Sequence, residues 1–236
     1  MSSLKVGLHI VLTDGYPVSP PSCVPNLVDK SGRFRDDMAW ASVRIFADPT
    51  VRRQVAYEIA AQFEAYAATG LRLDHVDCHK HWHLHPTIAH LILDIGQIYG
   101  MTALRIPKEP QRILRLVEKQ TLSRQSWVTS ISAAHLEARV RRRGLLAPDR
   151  VFGLAWSGAM TESRVAGLLA HLPTGDTEIY FHPSTSNSFL GATPGYRYID
   201  ELSALVSSKI ASAATDHGIR LIGYSDLSAN SGATVV

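Results

Sequence analysis

Apolar and polar positions follow two rhythms along this chain. Short β-rich runs are separated by longer stretches whose apolar residues recur every three or four positions, the spacing of one helix face. Residues 4–13 (LKVGLHIVLT) read as a buried strand. Residues 51–68 carry Val55, Ile59, Phe63 and Tyr66 at helical spacing, with a start at Asp48-Pro49 and a stop at Gly70. Residues 73–78 form a second strand, and Pro86 opens a helix that runs to Gly100. A short strand at 104–106 ends on Pro107, and 113–143 hold one or two helices ended by Gly144. The remaining pattern predicts a strand at 151–156, a helix at 162–172 and a strand at 178–181. A helix at 199–215 and a last strand at 219–224 complete it. Six strands alternating with helices predict an α/β chain whose parallel sheet closes, or nearly closes, into a barrel within a single domain, 1–236. The Pro-rich stretch 14–34 is long for a connection, so it is either a lid or binding loop or a plain surface loop. The small, polar tail beyond Leu227 predicts a frayed end.

Composition narrows the class without naming a function. Apolar residues make up 45% of the 236, and mean hydropathy is near zero. No run of 18 apolar residues offers a transmembrane helix. The first residues enter a strand directly, which argues against a signal peptide and places the protein in the cytoplasm. Lys plus Arg is 24 against 21 for Asp plus Glu, and a net +3 is too small to imply nucleic acid. Cys23 and Cys78 make neither a disulfide framework nor a zinc module. No nucleophile elbow, phosphate loop or dinucleotide fingerprint is present.

Histidine is the exception. Five of eleven, His75, His79, His81, His83 and His85, fall within eleven residues. Together with Asp77 they occupy odd positions, so for as long as the strand lasts they share one face, with Val76, Cys78, Trp82 and Leu84 on the other. A row of imidazoles with a carboxylate suits a divalent metal, and Asp77 would either ligate it or orient His79. Four-coordinate zinc takes about three protein groups and a water, so not all five can be ligands. An affinity-tag-like run would be contiguous and terminal, whereas this one is internal and interleaved with Trp82 and Leu84. His9 and His182 sit at the ends of two other strands, where barrel sites collect their residues. The basic run Arg139, Arg141, Arg142 and Arg143 reads as a solvated helix end, with a phosphate or anionic-lipid contact as the alternative.

These residues resemble a known family. The segments 6–9 (VGLH), 77–86 (DCHKHWHLHP), 104–107 (LRIP) and 181–183 (FHP) are similar to the YdjC-like carbohydrate deacetylases. The segments 26–29 (NLVD), 32–34 (GRF) and 194–197 (PGYR) resemble the hopanoid-biosynthesis-associated (HpnK-type) branch. The resemblance implies a distorted (β/α) TIM-like barrel that uses a divalent metal, zinc or magnesium, to remove acetyl groups from N-acetylated sugars. For the hopanoid branch it implies an N-acetylglucosaminyl hopanoid as substrate, and through that lipid a peripheral membrane contact. By the same resemblance His9 and His79 match metal-binding histidines, His182 a histidine near the reacting centre and Arg105 an arginine at a strand end. Family members begin with a strand ending in an Asp-Asp pair and a helix. This chain is expected to lack that unit, and Asp36-Asp37, in a loop-like context, does not replace it. Asp77 is then the nearest alternative base, with His182 as proton donor. A second reading is a non-catalytic member that binds metal or sugar without turnover. A third, a phosphoesterase-like metallohydrolase, would want more carboxylates than Asp74 and Asp77.

Overall fold

The computed structural model describes residues 4–119, 127–227 and 234–235. They fall into two compact units, Met1–Arg105 with Ile131–Ala147, and Ile106–Ser130 with Pro148–Val236.

In the first unit, β1 (Val6–Ile10) is followed by α1 (Met38–Ala47), α2 (Pro49–Ala68) and β2 (Leu73–Cys78). The two strands pair in parallel, with His9 opposite Asp77 and Ile10 opposite Cys78. Gly7 is required here, because a Cβ would lie 2.5 Å from the His75 ring. Asp37 caps α1 by accepting from Trp40 N–H (3.0 Å), and Asp48 caps α2 ahead of Pro49. The pattern of the sequence did not announce α1. Its large apolar residues are mostly exposed and only Ile45 is buried, so the helix has no core-facing apolar stripe.

Helix α2 organises what surrounds β1. Val55, Ile59 and Phe63 are buried, and Tyr66 Oη reaches the Val6 and Arg72 carbonyls (2.8 and 3.1 Å) at the start of each strand. Gln62 accepts from Val11 N–H (2.9 Å) and donates to Val11 C=O (2.7 Å), while Glu58 accepts from the amides of Val18 and Ser19 (2.9 and 3.0 Å). The loop between them is therefore fixed at both ends. Farther along, Val24, Val28 and Phe34 form a small buried cluster, so the Pro-rich stretch carries its own core. Helix α3 (Pro86–Ile98) packs on α2. The strand expected at 104–106 is reduced to bridges: Val76 N–H donates to Ala103 C=O and Arg105 N–H to Val76 C=O, both at 3.0 Å. They are enough to set Arg105 beside β2.

Helix α4 (Gln111–Val117) lies in the second unit, and α5 (Trp127–Arg142) crosses from the second unit into the first. Residues 120–126, inside the predicted helical stretch 113–143, lie outside the described residues. The second unit continues with β3 (Arg150–Phe152), α6 (Glu162–Leu169), β4 (Thr177–Ile179), α7 (Tyr198–Leu205), α8 (Ser208–Asp216), β5 (Leu221–Ile222) and β6 (Thr234–Val235). Its strands pair in parallel in the order β3-β4-β6-β5. Phe152, Met160, Leu168, Leu169 and Ile179 form its core. Two expectations are corrected here. The helix expected over 199–215 breaks between α7 and α8, where the Ser207 hydroxyl accepts from Ile210 N–H (3.4 Å) and caps a new helix. The tail is not simply frayed, because Thr234 and Val235 pair with β5 and β4; residues 228–233 and 236 lie outside the described residues. The alternation of helices with parallel strands makes this an α/β fold.

Candidate active site

Strand β2 delivers Asp77 and then stops. Lys80 (φ 48°) and His81 (φ 56°) enter the left-handed region, and residues His79–Leu84 form a kinked 3₁₀ turn. The single histidine face expected from strand alternation is thereby corrected: it holds for His75 and Asp77 and then dissolves. His83 turns fully inward, and burial pushes its imidazole down to about 3, with His81 adding to the shift. His85 leaves the row, its Nε2 meeting the Ser42 carbonyl (3.2 Å). His75 Nδ1 contacts Asp74 (3.1 Å).

Parallel register brings His9 to Asp77. His9 Nδ1–H donates to Asp77 Oδ1 (2.8 Å), which leaves the Nε2 lone pair facing outward. That nitrogen lies 3.4 Å from Nδ1 of His79, with the rings at 76°. On the far side, His79 Nε2–H donates to Asp14 Oδ2 (3.1 Å). Both imidazoles are thus braced by a carboxylate, and their lone pairs face one another. Two nitrogens bound tetrahedrally to one ion at about 2.05 Å would be about 3.3 Å apart, so the pair fits two positions on a metal. Among the described residues, no three His, Cys, Asp or Glu side chains converge to hold an ion by themselves. The site offers two imidazole donors.

Arg105 Nη1 pairs with the other Asp77 oxygen. Burial alone would raise the Asp77 carboxyl, but Arg105 and His9 outweigh it and hold it well below the usual carboxylate range. With both oxygens engaged, Asp77 is built to orient His9; the base role that the sequence left to it does not match these contacts.

Asp14 is the residue that sequence reasoning missed. It lies between the two points where α2 fixes the loop, with its backbone left-handed (φ 62°). Lys80 Nζ also pairs with its Oδ2, and Arg33 donates to its carbonyl (3.3 Å). Burial works against ionisation, yet Lys80 and His79 hold the carboxyl below its ordinary value. The only signal in the sequence is the Asp14-Gly15 pair, which marks a turn and nothing more.

His182 belongs to the second unit, three residues beyond β4. Its backbone N–H donates to Glu201, a fully buried carboxylate on α7 that also accepts from Met160 N–H (3.0 Å). Burial raises the Glu201 carboxyl above its ordinary value, against the opposing pull of these amides. The His182 ring stands edge-on to Tyr180 and Tyr196, with centroids 5.5 and 5.2 Å away. Tyr196 in turn reaches Ser157 Oγ (2.7 Å) and packs over Gly158, where a Cβ would lie 2.1 Å from its ring.

The paired strands β1 and β2, with the turn that follows β2, bring two histidines and a buried carboxylate together within an α/β fold. The YdjC-like protein family matches residues 1–216, and the chain belongs to that family. A carbohydrate deacetylase of Brevibacillus brevis is 39% identical over 100 residues, 41% of this chain and 36% of that protein. Carbohydrate deacetylases of Geobacillus stearothermophilus and Vibrio vulnificus (strain CMCP6) are 26% and 27% identical over 94% and 96% of this chain. Those alignments cover 75% and 77% of the relatives' own lengths. A solved structure of a proposed cellobiose-phosphate cleavage protein from Enterococcus faecalis V583 shares the fold, with TM-score 0.69 and 24% identity. That likeness covers 94% of this chain and 77% of the other.

Proposed function

We propose that this chain is a carbohydrate N-deacetylase, a hydrolase that removes the acetyl group from an N-acetylated amino sugar. His9 and His79 would hold a divalent metal, zinc or magnesium. The observation that carries this reading is the pair of imidazole nitrogens facing at 3.4 Å, each braced from behind by a carboxylate. A metal held there would supply Lewis-acid polarisation of the acetyl carbonyl and a more acidic bound water. The chain's own residues would orient the two donors. Asp77, kept ionised by Arg105, holds the His9 tautomer with Nε2 open, and Asp14 does the same for Nδ1 of His79. The resemblance would give His182 the proton for the leaving amine; within its own unit its backbone N–H is pinned by Glu201.

The finer substrate, an N-acetylglucosaminyl hopanoid, is supported by the resemblance of residues 26–34 and 194–197, and a lipid of that kind implies a peripheral membrane contact. A distorted TIM-like barrel in one domain is likewise proposed, supported by the parallel sense of every strand pair within each sheet. A site that draws two imidazole donors from the described residues also suits a member that binds metal or sugar without turnover. Acetate release from N-acetylglucosamine oligosaccharides and from an N-acetylglucosaminyl hopanoid separates the two. Release from either supports the deacetylase. A metal-loaded protein that releases none from any N-acetylated sugar contradicts it and favours the non-catalytic reading.

A further inference from the structure

We propose that the outward face of α1 docks on an anionic lipid bilayer. Ala39, Trp40, Val43, Phe46 and Ala47 recur at the spacing of one helix face. On that face Trp40 is 44% exposed, Val43 67% and Phe46 65%, whereas the only buried residue of the helix is Ile45. A short helix with Trp and Phe outward is the reverse of a solvated surface helix and matches one that lies in a membrane interface.

The surrounding charge selects the occupant. The guanidinium groups of Arg35 and Arg44 lie 5.7 and 4.8 Å from the Trp40 ring, and Arg52 reaches around to the Phe46 carbonyl (2.7 Å). Arg53 is exposed on the next turn. The nearby carboxylates lie at the surface: Asp36 is exposed beside Trp40, and the other three are hydrogen-bonded within the chain. Asp37 caps α1, Asp48 caps α2 and pairs with Arg44, and Asp29 closes its own turn with Ser31 and Arg33. An apolar strip with an indole at its edge and an arginine rim is complementary to acyl chains below anionic headgroups. A second copy of the chain would bring the same arginines face to face across a two-fold axis. The helix is also joined to the histidine turn, through His85 Nε2 and the Ser42 carbonyl (3.2 Å).

The test is co-sedimentation of the full chain with vesicles of pure phosphatidylcholine and of phosphatidylcholine with phosphatidylglycerol. The bound fraction should be at least about fivefold higher on the anionic vesicles and fall as salt is raised. A Val43→Ser, Phe46→Ser double variant should lose that binding while keeping its far-UV spectrum and melting temperature, because both side chains are already in solvent. Equal sedimentation with both vesicle types, or undiminished binding by the folded variant, overturns the proposal. So does a dimer that the double substitution dissolves in a wild-type protein that ignores vesicles; the strip would then belong to a second copy. Vesicle binding is read without turnover, so it stands or falls separately from the deacetylase reading.

Discussion

Asp14 sits in a left-handed conformation that costs an L-residue energy and that Asp tolerates better than most. The conformation aims its carboxylate at His79 Nε2. A carboxylate behind a ligating imidazole typically contributes about 10- to 100-fold in metal affinity. Asp14→Ala should therefore weaken metal binding by about that factor, measured by competition with a chromophoric chelator. Asp14→Asn, which keeps an acceptor and tolerates the same backbone, should lose less. Equal, undiminished affinity in both variants would remove Asp14 from the site. His79 and His85 lie six positions apart on one short turn, yet only His79 faces His9. His79→Ala should abolish metal uptake and His85→Ala should reduce it little, as read by elemental analysis; equal loss in both would show that the ligands are wrongly assigned.

At the scale of the element, the histidine turn differs most from its pattern. Composition and spacing made residues 75–85 stand out, and the parallel partnership of β1 with β2 follows from their apolar runs. Alternation could not reveal where the strand ends, because no Gly or Pro interrupts the chain between Leu73 and His85. The two left-handed residues, Lys80 and His81, carry no turn signature, and it is tertiary context that imposes the bend. Asp14 was equally illegible, since its link to His79 joins positions 65 apart. His9 and Asp77 could be singled out from their strands, and Arg105 through the family resemblance.

One consequence of the bend can be measured. His83 is buried and neutral, with its imidazole pushed down to about 3. The unfolded chain takes up a proton here as pH falls through about 6.5, and the folded chain does not until near 3. Stability should therefore be constant in this respect above the ordinary histidine range and fall as pH drops below it. For one proton the limiting slope is about 1.4 kcal/mol per pH unit. Urea titrations between pH 7 and 5, with EDTA present, should show a shallower loss in His83→Leu than in the wild type. Parallel pH profiles would mean that His83 is not held neutral by the fold.

For the molecule as a whole, family membership and the local geometry support the same chemistry from different directions. The relatives that align along nearly all of this chain are carbohydrate deacetylases. Within the first unit, the strand register and α2 bring two imidazoles and two bracing carboxylates together from segments far apart in sequence. Within the second, Glu201 fixes the backbone of His182. Net charge and hydropathy contributed only exclusions, because they average over the surface and say nothing about which side chains meet. The most direct test of the central claim, that the His9–His79 pair holds the metal for amide hydrolysis, is acetate release from an N-acetylated amino sugar by metal-stripped protein as divalent metal is added back. Turnover should be negligible at the start, rise to a plateau near one metal per chain, and be missing from His79→Ala at every metal concentration. Full turnover by the stripped protein, or the same titration curve from His79→Ala, would contradict the account.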